Sequence, residues 1–135
     1  MRIRVLAAVA VLVSAVVHLK LWLDGFRDIP MVGPAFMLNA VAGLVIAVAL
    51  VVWRHWVPPL LAVGFGVSTL GAFIISATVG LYGVHEMWRG GWVWTAAASE
   101  VVAILAAGLA VLEDNPLSSR RRPRDRTPGR GANIR

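Results

Sequence analysis

Four long apolar runs, separated by short polar connectors, dominate the pattern of hydrophobic and polar positions. The runs cover residues 3–23, 35–53, 58–84 and 92–112. A helix needs about 20 mostly apolar residues to cross a hydrocarbon core of roughly 30 Å, because each residue rises about 1.5 Å. The runs have about this length, so the pattern predicts four membrane-spanning helices.

The connectors between the runs are short and contain the glycine, proline and charged residues that are typical of turns. They read DGFRDIPMVGP, RHWVPP and HEMWRGGW. Short connectors make neighbouring helices antiparallel. We therefore expect an all-α fold, a polytopic antiparallel bundle of four transmembrane helices within residues 1–115. Residues 116–135 are rich in arginine and poor in apolar side chains, and this composition predicts a disordered cytoplasmic tail.

The composition excludes an ordinary soluble domain. Hydrophobic residues make up 59% of the chain and charged residues 15%, whereas a soluble domain is about half apolar and about a quarter charged. The absence of cysteine excludes disulfides, zinc–thiolate sites and iron–sulfur clusters. All six tryptophans lie near the end of a predicted span, where indole rings prefer to sit in membrane proteins.

The distribution of basic residues predicts the orientation of the bundle. One side of the predicted membrane holds Arg2, Arg4, Arg54 and the arginines of the tail, and the other side holds Lys20, Arg27 and Arg89. Lys and Arg accumulate on the cytoplasmic side of membrane proteins. We therefore expect a multi-pass protein of the plasma (inner) membrane with its N- and C-termini in the cytoplasm.

Polar residues within the apolar runs concentrate at one depth. They are His18, Asn39, Ser76 and Glu100, one in each run, and all fall in the outer half of the predicted bundle. A charged side chain inside the bilayer costs about 2.5–3.5 kcal/mol on insertion scales, so such residues turn inward and pair. We expect these four to form one interior polar cluster, with His18 and Glu100 as its natural pair. The inner half of the bundle offers nothing comparable.

Two further sets of residues have predicted roles. Small residues spaced four apart mark the faces on which membrane helices pack, and the predicted packing positions are Gly43, Gly64, Ser68, Ala72 and Gly80. His85 and Glu86 are expected at the outer rim of the bundle. No metal site is predicted, because no two potential ligands share a helix at a recognised spacing.

Three classes of function remain open at this point. The sequence favours a non-catalytic membrane protein, an accessory or assembly factor or an envelope component, in which the polar layer is an interhelical hydrogen-bond cluster. One alternative is a small oligomeric transporter, coupled to ions or protons, that uses Glu100. Another is a haem- or metal-binding membrane protein that uses His18. Neither an enzyme nor a bound cofactor is predicted, because the sequence contains no nucleophile elbow and no phosphate-binding loop.

The expected partners follow from the same features. The lipid bilayer is the main one, and a homo-oligomer or a larger membrane complex is open. The tail from Arg120 to Arg135 either binds anionic lipid head groups, at about 1 kcal/mol per basic residue, or acts only to fix the topology. Nucleic acid is not an expected partner.

One long stretch carries a resemblance. HLKLWLDGFRDIPMVGPAFMLNAVAG, followed by GVHE and by a fourth run with a lone glutamate, resembles a group of small four-span actinobacterial integral membrane proteins of unassigned function. The likeness covers roughly residues 18–112. The residues that carry it are His18, Gly25, Ile29, Pro30, Gly33 and Asn39. The resemblance implies the four-helix topology and brings no catalytic or binding residues with it.

Overall fold

The structure, a computed structural model, describes residues 1–81, 83, 85 and 90–115, and these residues form four α-helices. The helices are α1 (Arg2–Leu23), α2 (Val32–Val52), α3 (Val57–Thr78) and α4 (Gly91–Asp114). A 3-10 turn, Phe26–Asp28, lies between α1 and α2. The predicted tail at 116–135 and the predicted rim residue Glu86 lie outside the described residues.

Each of the four helices is long and apolar enough to cross a membrane. They contain 21 to 24 residues, which corresponds to about 31–36 Å at about 1.5 Å per residue, against a hydrocarbon core of roughly 30 Å. Large apolar side chains such as Leu38, Leu105 and Leu112 are exposed, as suits a surface that faces lipid. The prediction of an all-α fold with four membrane-spanning helices is confirmed, and the chain has the architecture of a multi-pass membrane protein.

Successive helices run antiparallel, and contacts of α1 define the two ends of the bundle. At one end, Arg4 contacts Leu50 near the end of α2 and Asp114 at the end of α4. We call this the Arg4 end. At the other end, the His18 ring packs edge-on against Phe36 near the start of α2, with 5.2 Å between ring centroids. We call this the His18 end.

Helix α1 packs along α2 on one side and along α4 on the other, while α3 packs mainly against α4. Direct contacts between α2 and α3 are much fewer. The shared core consists largely of small side chains and includes Ala7, Val11, Ala47, Leu50, Ala62, Phe65, Ala103 and Ala107. Membrane helices associate through such close packing, because lipid provides no hydrophobic driving force between them. The bundle is therefore tightly joined except along the line between α2 and α3.

Two helix glycines permit close approaches between helices. A Cβ atom at Gly43 would lie 2.8 Å from the Cβ of Ala15, and one at Gly66 would lie 2.7 Å from Cγ1 of Ile104. Gly43 therefore lets α2 approach α1, as a packing position should, and Gly66 does the same for α3 and α4. Gly64 makes no such approach within this bundle, because a Cβ atom there would meet nothing within 4 Å.

The remaining predicted packing positions of the third run lie at the cavity or beyond the helix. Ser68 and Ala72, like Gly64, line a cavity. Gly80 lies beyond the end of α3, where a Cβ atom would lie 2.5 Å from Nε2 of His85. A four-residue step drifts around a helix of 3.6 residues per turn, so a row read from the sequence does not specify which face meets the neighbour.

Glycine conformation also sets the length of α3, which ends well before the predicted limit at residue 84. The last helical residue is Thr78, and Gly80 follows with a φ of +84°. This left-handed conformation commonly ends helices, and glycine adopts it without a steric penalty. Helix α2, in contrast, begins at Val32 rather than at residue 35, with Pro34 in its first turn, where proline is tolerated.

The connector between α1 and α2 is held against the His18 end by close contacts. Gly25 has a φ of +130°, and a Cβ atom at Gly33 would lie 2.3 Å from the carbonyl oxygen of Arg27. Both positions therefore require glycine. The ring of Phe26 lies 5.1 Å from that of Phe36, which in turn contacts His18. The connector thus fixes the aromatic surroundings of the histidine.

Candidate intramembrane binding site

A cavity of about 700 Å³ lies between α2 and α3, where these two helices contact each other least. We call it the α2–α3 cavity. Its walls are mainly apolar and include Phe36, Ala42 and Ile46 of α2 and Gly64, Ala72 and Phe73 of α3. Helices α1 and α4 close the side opposite the gap. The cavity therefore receives side chains from all four helices.

The four polar residues singled out in the sequence all line this cavity. They are His18, Asn39, Ser76 and Glu100. His18 is 7% exposed and Glu100 is 2% exposed, so both side chains are turned away from the outer surface of the bundle. The structure thus brings together one polar residue from each helix around one space.

Ser14 joins the two ionisable residues of the cavity. Its Oγ donates a hydrogen bond to Oε1 of Glu100 at 3.3 Å. Nδ1 of His18 lies 2.8 Å from the carbonyl oxygen of Ser14 and 3.4 Å from its Oγ. We call Ser14, His18 and Glu100 the Ser14 cluster. Ser14 itself is fully buried.

The expected direct pair of His18 and Glu100 is not formed. The described part of the chain contains three ion pairs, and none of them joins these two residues. The reason is depth: Glu100 lies nine residues from the start of α4 and Ser14 nine residues from the end of α1, whereas His18 is one turn closer to that end. Residues four apart share one helix face, so Ser14 occupies the position between them.

The hydrogen bonds define which atoms of the Ser14 cluster remain available. Nδ1 of His18 can reach the Ser14 carbonyl at 2.8 Å only as a donor, so a neutral ring carries its lone pair on Nε2. Neither Nε2 nor Oε2 of Glu100 has a hydrogen-bond partner among the described residues. No buried side-chain nitrogen or oxygen in that part of the chain lacks a partner. Each of the two atoms therefore keeps some exposed surface, and both residues line the cavity.

A second polar contact lies between the walls of the cavity. Oγ1 of Thr69 on α3 is 3.3 Å from Oδ1 of Asn39 on α2 and 2.7 Å from the carbonyl oxygen of Phe65. Thr69 also lines the cavity, although the sequence analysis did not select it. A threonine that bonds to a carbonyl of its own helix is common, which is why this residue gave no distinct signal.

A second polar cluster, which the sequence did not predict, lies at the Arg4 end of the bundle. Arg4 is 5% exposed and donates hydrogen bonds to the carbonyl oxygens of Leu50 at 3.0 Å, Trp53 at 2.6 Å and His55 at 3.1 Å. It also pairs with the carboxylate of Asp114. We call these five residues the Arg4 cluster. The available signal was an arginine opposite the end of α2, because the last carbonyls of a helix lack intrahelical donors.

The potential metal ligands are dispersed. Among the described residues, no three His, Cys, Asp or Glu side chains lie close enough together to hold a metal ion. His85, expected at the rim, is exposed and lies over Gly80. His18 and Glu100 are the His and Glu side chains among the described residues of the cavity wall, and a metal held by these two would need further ligands.

Glu100 gives the site its electrostatic character. A buried carboxylate needs hydrogen-bond donors or a positive charge around it, and within the described residues only the neutral hydroxyl of Ser14 donates to it. Apart from Arg2, the basic side chains of α1 form ion pairs with other residues. Lys20 pairs with Asp24, and Arg4 pairs with Asp114. The cavity thus combines apolar walls with an acceptor-rich polar cluster.

Comparison with known proteins finds no matching family model, curated protein or solved structure.

Proposed function

We propose that the protein is a non-catalytic membrane protein that binds a small amphipathic molecule of the bilayer in the α2–α3 cavity. The observation that carries this proposal is a cavity of about 700 Å³ with apolar walls and a few polar side chains, among them His18 and Glu100 of the Ser14 cluster. Ligand pockets typically measure about 300–1,000 Å³ and combine apolar walls with a few placed polar groups. Such a protein would act as an accessory or envelope component rather than as an enzyme.

The position of the cavity supports entry from the lipid phase. Leu38 of α2 and Leu60 and Leu61 of α3 line the cavity and are also exposed on the outer surface. They therefore stand at an opening between the two helices that faces the hydrocarbon in a membrane. An apolar molecule can enter by this route without crossing a polar layer.

We also propose in which membrane the bundle lies and on which side its termini are. The excess of arginine at the Arg4 end, with Arg2, Arg4 and Arg54, supports a plasma membrane protein whose termini are cytoplasmic. The Ser14 cluster then lies in the outer half of the bilayer. Homo-oligomers, larger complexes and lipid binding by the tail are compatible with this arrangement.

The test is to fill the cavity. Gly64 lines it, and a Cβ atom there meets nothing within 4 Å, so Gly64→Leu should place a side chain in the space without disturbing the helix packing. We expect the variant to bind hexadecanol, titrated into the purified full-length protein in detergent, at least about tenfold more weakly than wild type, a loss of about 1.4 kcal/mol.

Gly108→Leu is the matched control, since Gly108 of α4 also has open space around it and does not line the cavity. It should bind hexadecanol as wild type does, and both variants should show wild-type helix content by circular dichroism. Equal binding by wild type and Gly64→Leu, or no binding by wild type, would contradict the proposal.

A proton-coupled transporter is the second candidate, and the position of Glu100 favours it. The carboxylate is 2% exposed, lines the cavity and connects through Ser14 to a titratable histidine. In proteoliposomes with an entrapped pH indicator, we expect a proton flux that Glu100→Gln abolishes and that Glu113→Gln, an exposed carboxylate of the same helix, retains. Wild-type vesicles without flux above protein-free vesicles would exclude this candidate.

A further inference from the structure

We infer that the α2–α3 cavity selects amphiphiles whose head group is a protonated amine, held by hydrogen bonds to Glu100 and His18. This inference rests on the proposed ligand-binding function and specifies the chemistry of the ligand. It follows from the donors and acceptors that the Ser14 cluster has already used and from those that it leaves open.

The donors of the cluster are used internally. The hydroxyl hydrogen of Ser14 goes to Oε1 of Glu100 at 3.3 Å. The Nδ1 hydrogen of His18 goes to the Ser14 carbonyl at 2.8 Å. With both hydrogens engaged, neutral His18 and ionised Glu100 leave the Ser14 cluster with no donor for a ligand.

The atoms of the Ser14 cluster that stay open are acceptors. They are Oε2 of Glu100 and Nε2 of His18, which have no hydrogen-bond partner among the described residues and keep some exposed surface. A ligand head that donates hydrogen bonds complements both atoms, whereas a carboxylate or phosphate head would place acceptor against acceptor. An ammonium group has three donors and no acceptor, which matches this pair of atoms.

The negative charge of the Glu100 carboxylate also favours an ammonium head group. Within the described part of the chain no basic side chain pairs with Glu100, and burying a carboxylate without a counter-charge is costly. A bound ammonium would supply the missing positive charge, and hydrogen bonds between charged groups are stronger than neutral ones. The apolar walls formed by residues such as Phe36, Ile46 and Ala72 then receive the hydrocarbon part of the molecule.

The experiment compares three probes of equal chain length, hexadecylamine, hexadecanol and palmitate, by titration into the purified full-length protein in a non-ionic detergent at neutral pH. We expect the amine to bind at least about tenfold more tightly than the alcohol, as a charge-assisted hydrogen bond requires, and palmitate to bind most weakly. Glu100→Gln should reduce the preference for the amine to less than about threefold. Glu113→Gln, the exposed control on α4, should retain it.

The outcomes separate the two proposals. If wild type binds the amine and the alcohol equally and Gly64→Leu weakens both, the cavity is a ligand site but the amine preference is wrong. If wild type binds none of the probes, the ligand-binding function is wrong as well. Preference for the amine at the wild-type level in Glu100→Gln, or binding of the amine by Gly64→Leu as tightly as by wild type, would show adsorption elsewhere and overturn the inference. The affinities of wild type for the amine and the alcohol test the amine preference even if Glu100→Gln does not fold.

Discussion

Ser14 connects the polar side chains of two helices by hydrogen bonds. Fully buried in α1, it donates to Glu100 of α4 through its hydroxyl and accepts from His18 through its carbonyl. A serine one turn before a histidine usually has a local role, because its hydroxyl can bond to a carbonyl of its own helix. In this bundle the hydroxyl instead reaches a second helix, so the serine holds together the two ionisable residues of the cavity.

Ser14→Ala should therefore destabilise the bundle. It removes a bond between α1 and α4 and leaves Oε1 of Glu100 without its donor. We expect the free energy of unfolding to fall by about 0.6–2 kcal/mol, the range for interhelical hydrogen bonds in membranes. The measurement is an SDS-induced unfolding curve in mixed micelles.

Ser99→Ala provides the matched control, since Ser99 is a buried serine that donates only to the carbonyl of Ala96 in its own helix, at 2.8 Å. It should cost less than the Ser14 variant. Equal losses for the two serines would mean that the bond to Glu100 adds no stability.

At the scale of the helices, the Arg4 cluster joins three ends. The guanidinium of α1 binds the carbonyls of Leu50, at the end of α2, and of Trp53, just beyond it, and it pairs with Asp114 at the end of α4. These carbonyls belong to the last turn of α2 and the residues after it, which have no donors within the helix. Arginine suits the position because its planar group presents five donors in fixed directions.

Arg4→Leu should lower the free energy of unfolding by about 1–3 kcal/mol, because it leaves the carbonyls at this end of α2 without a donor. Arg4→Lys should recover only part of the loss, since a single ammonium cannot reach the same set of acceptors. The same SDS unfolding assay measures both variants.

Arg2→Leu removes an exposed arginine from the same helix and should change stability by no more than about 0.5 kcal/mol. If Arg4→Leu is as mild as Arg2→Leu, the cluster contributes nothing to stability.

At the scale of the whole molecule, the four helices form a bundle that is closed along three lines of contact and open along the fourth. Helix α1 joins α2 to α4, and α4 joins α3, while α2 and α3 stand apart around the cavity. Exposed apolar side chains such as Leu38 and Leu60 line the opening, and His18 and Glu100 face inward. The side of the membrane on which each end lies follows from charge rather than from packing, and it is therefore a separate prediction.

The orientation can be tested with single cysteines, because the natural chain contains none. Asp28→Cys lies in the connector at the His18 end, where the Asp28 side chain is 81% exposed, and Glu113→Cys lies exposed at the Arg4 end. In intact cells, a membrane-impermeant maleimide should label the first variant and not the second. Acidic residues contribute little to topology, so neither substitution should reverse the orientation of the protein in the membrane.

Permeabilised cells provide the control, because both cysteines should then react. Labelling of Glu113→Cys but not Asp28→Cys in intact cells would reverse the proposed orientation. It would leave the fold and the cavity unchanged.

The sequence alone determined the number of helices, their antiparallel order and the similar depth of His18, Asn39, Ser76 and Glu100, which all line the cavity. These features depend on local properties of the sequence, namely the length of an apolar run and the position of a polar residue along it. Because a helix has a fixed rise per residue, that position gives the depth of the residue in the membrane. Only the tertiary structure decided that Ser14 separates His18 from Glu100, that Gly66 rather than Gly64 meets α4, and that α2 and α3 leave a gap. Those contacts depend on how each helix is rotated and tilted about its axis. Small residues occur on every face of these helices, so the pattern does not specify the rotation, and the close packing of the assembled bundle does.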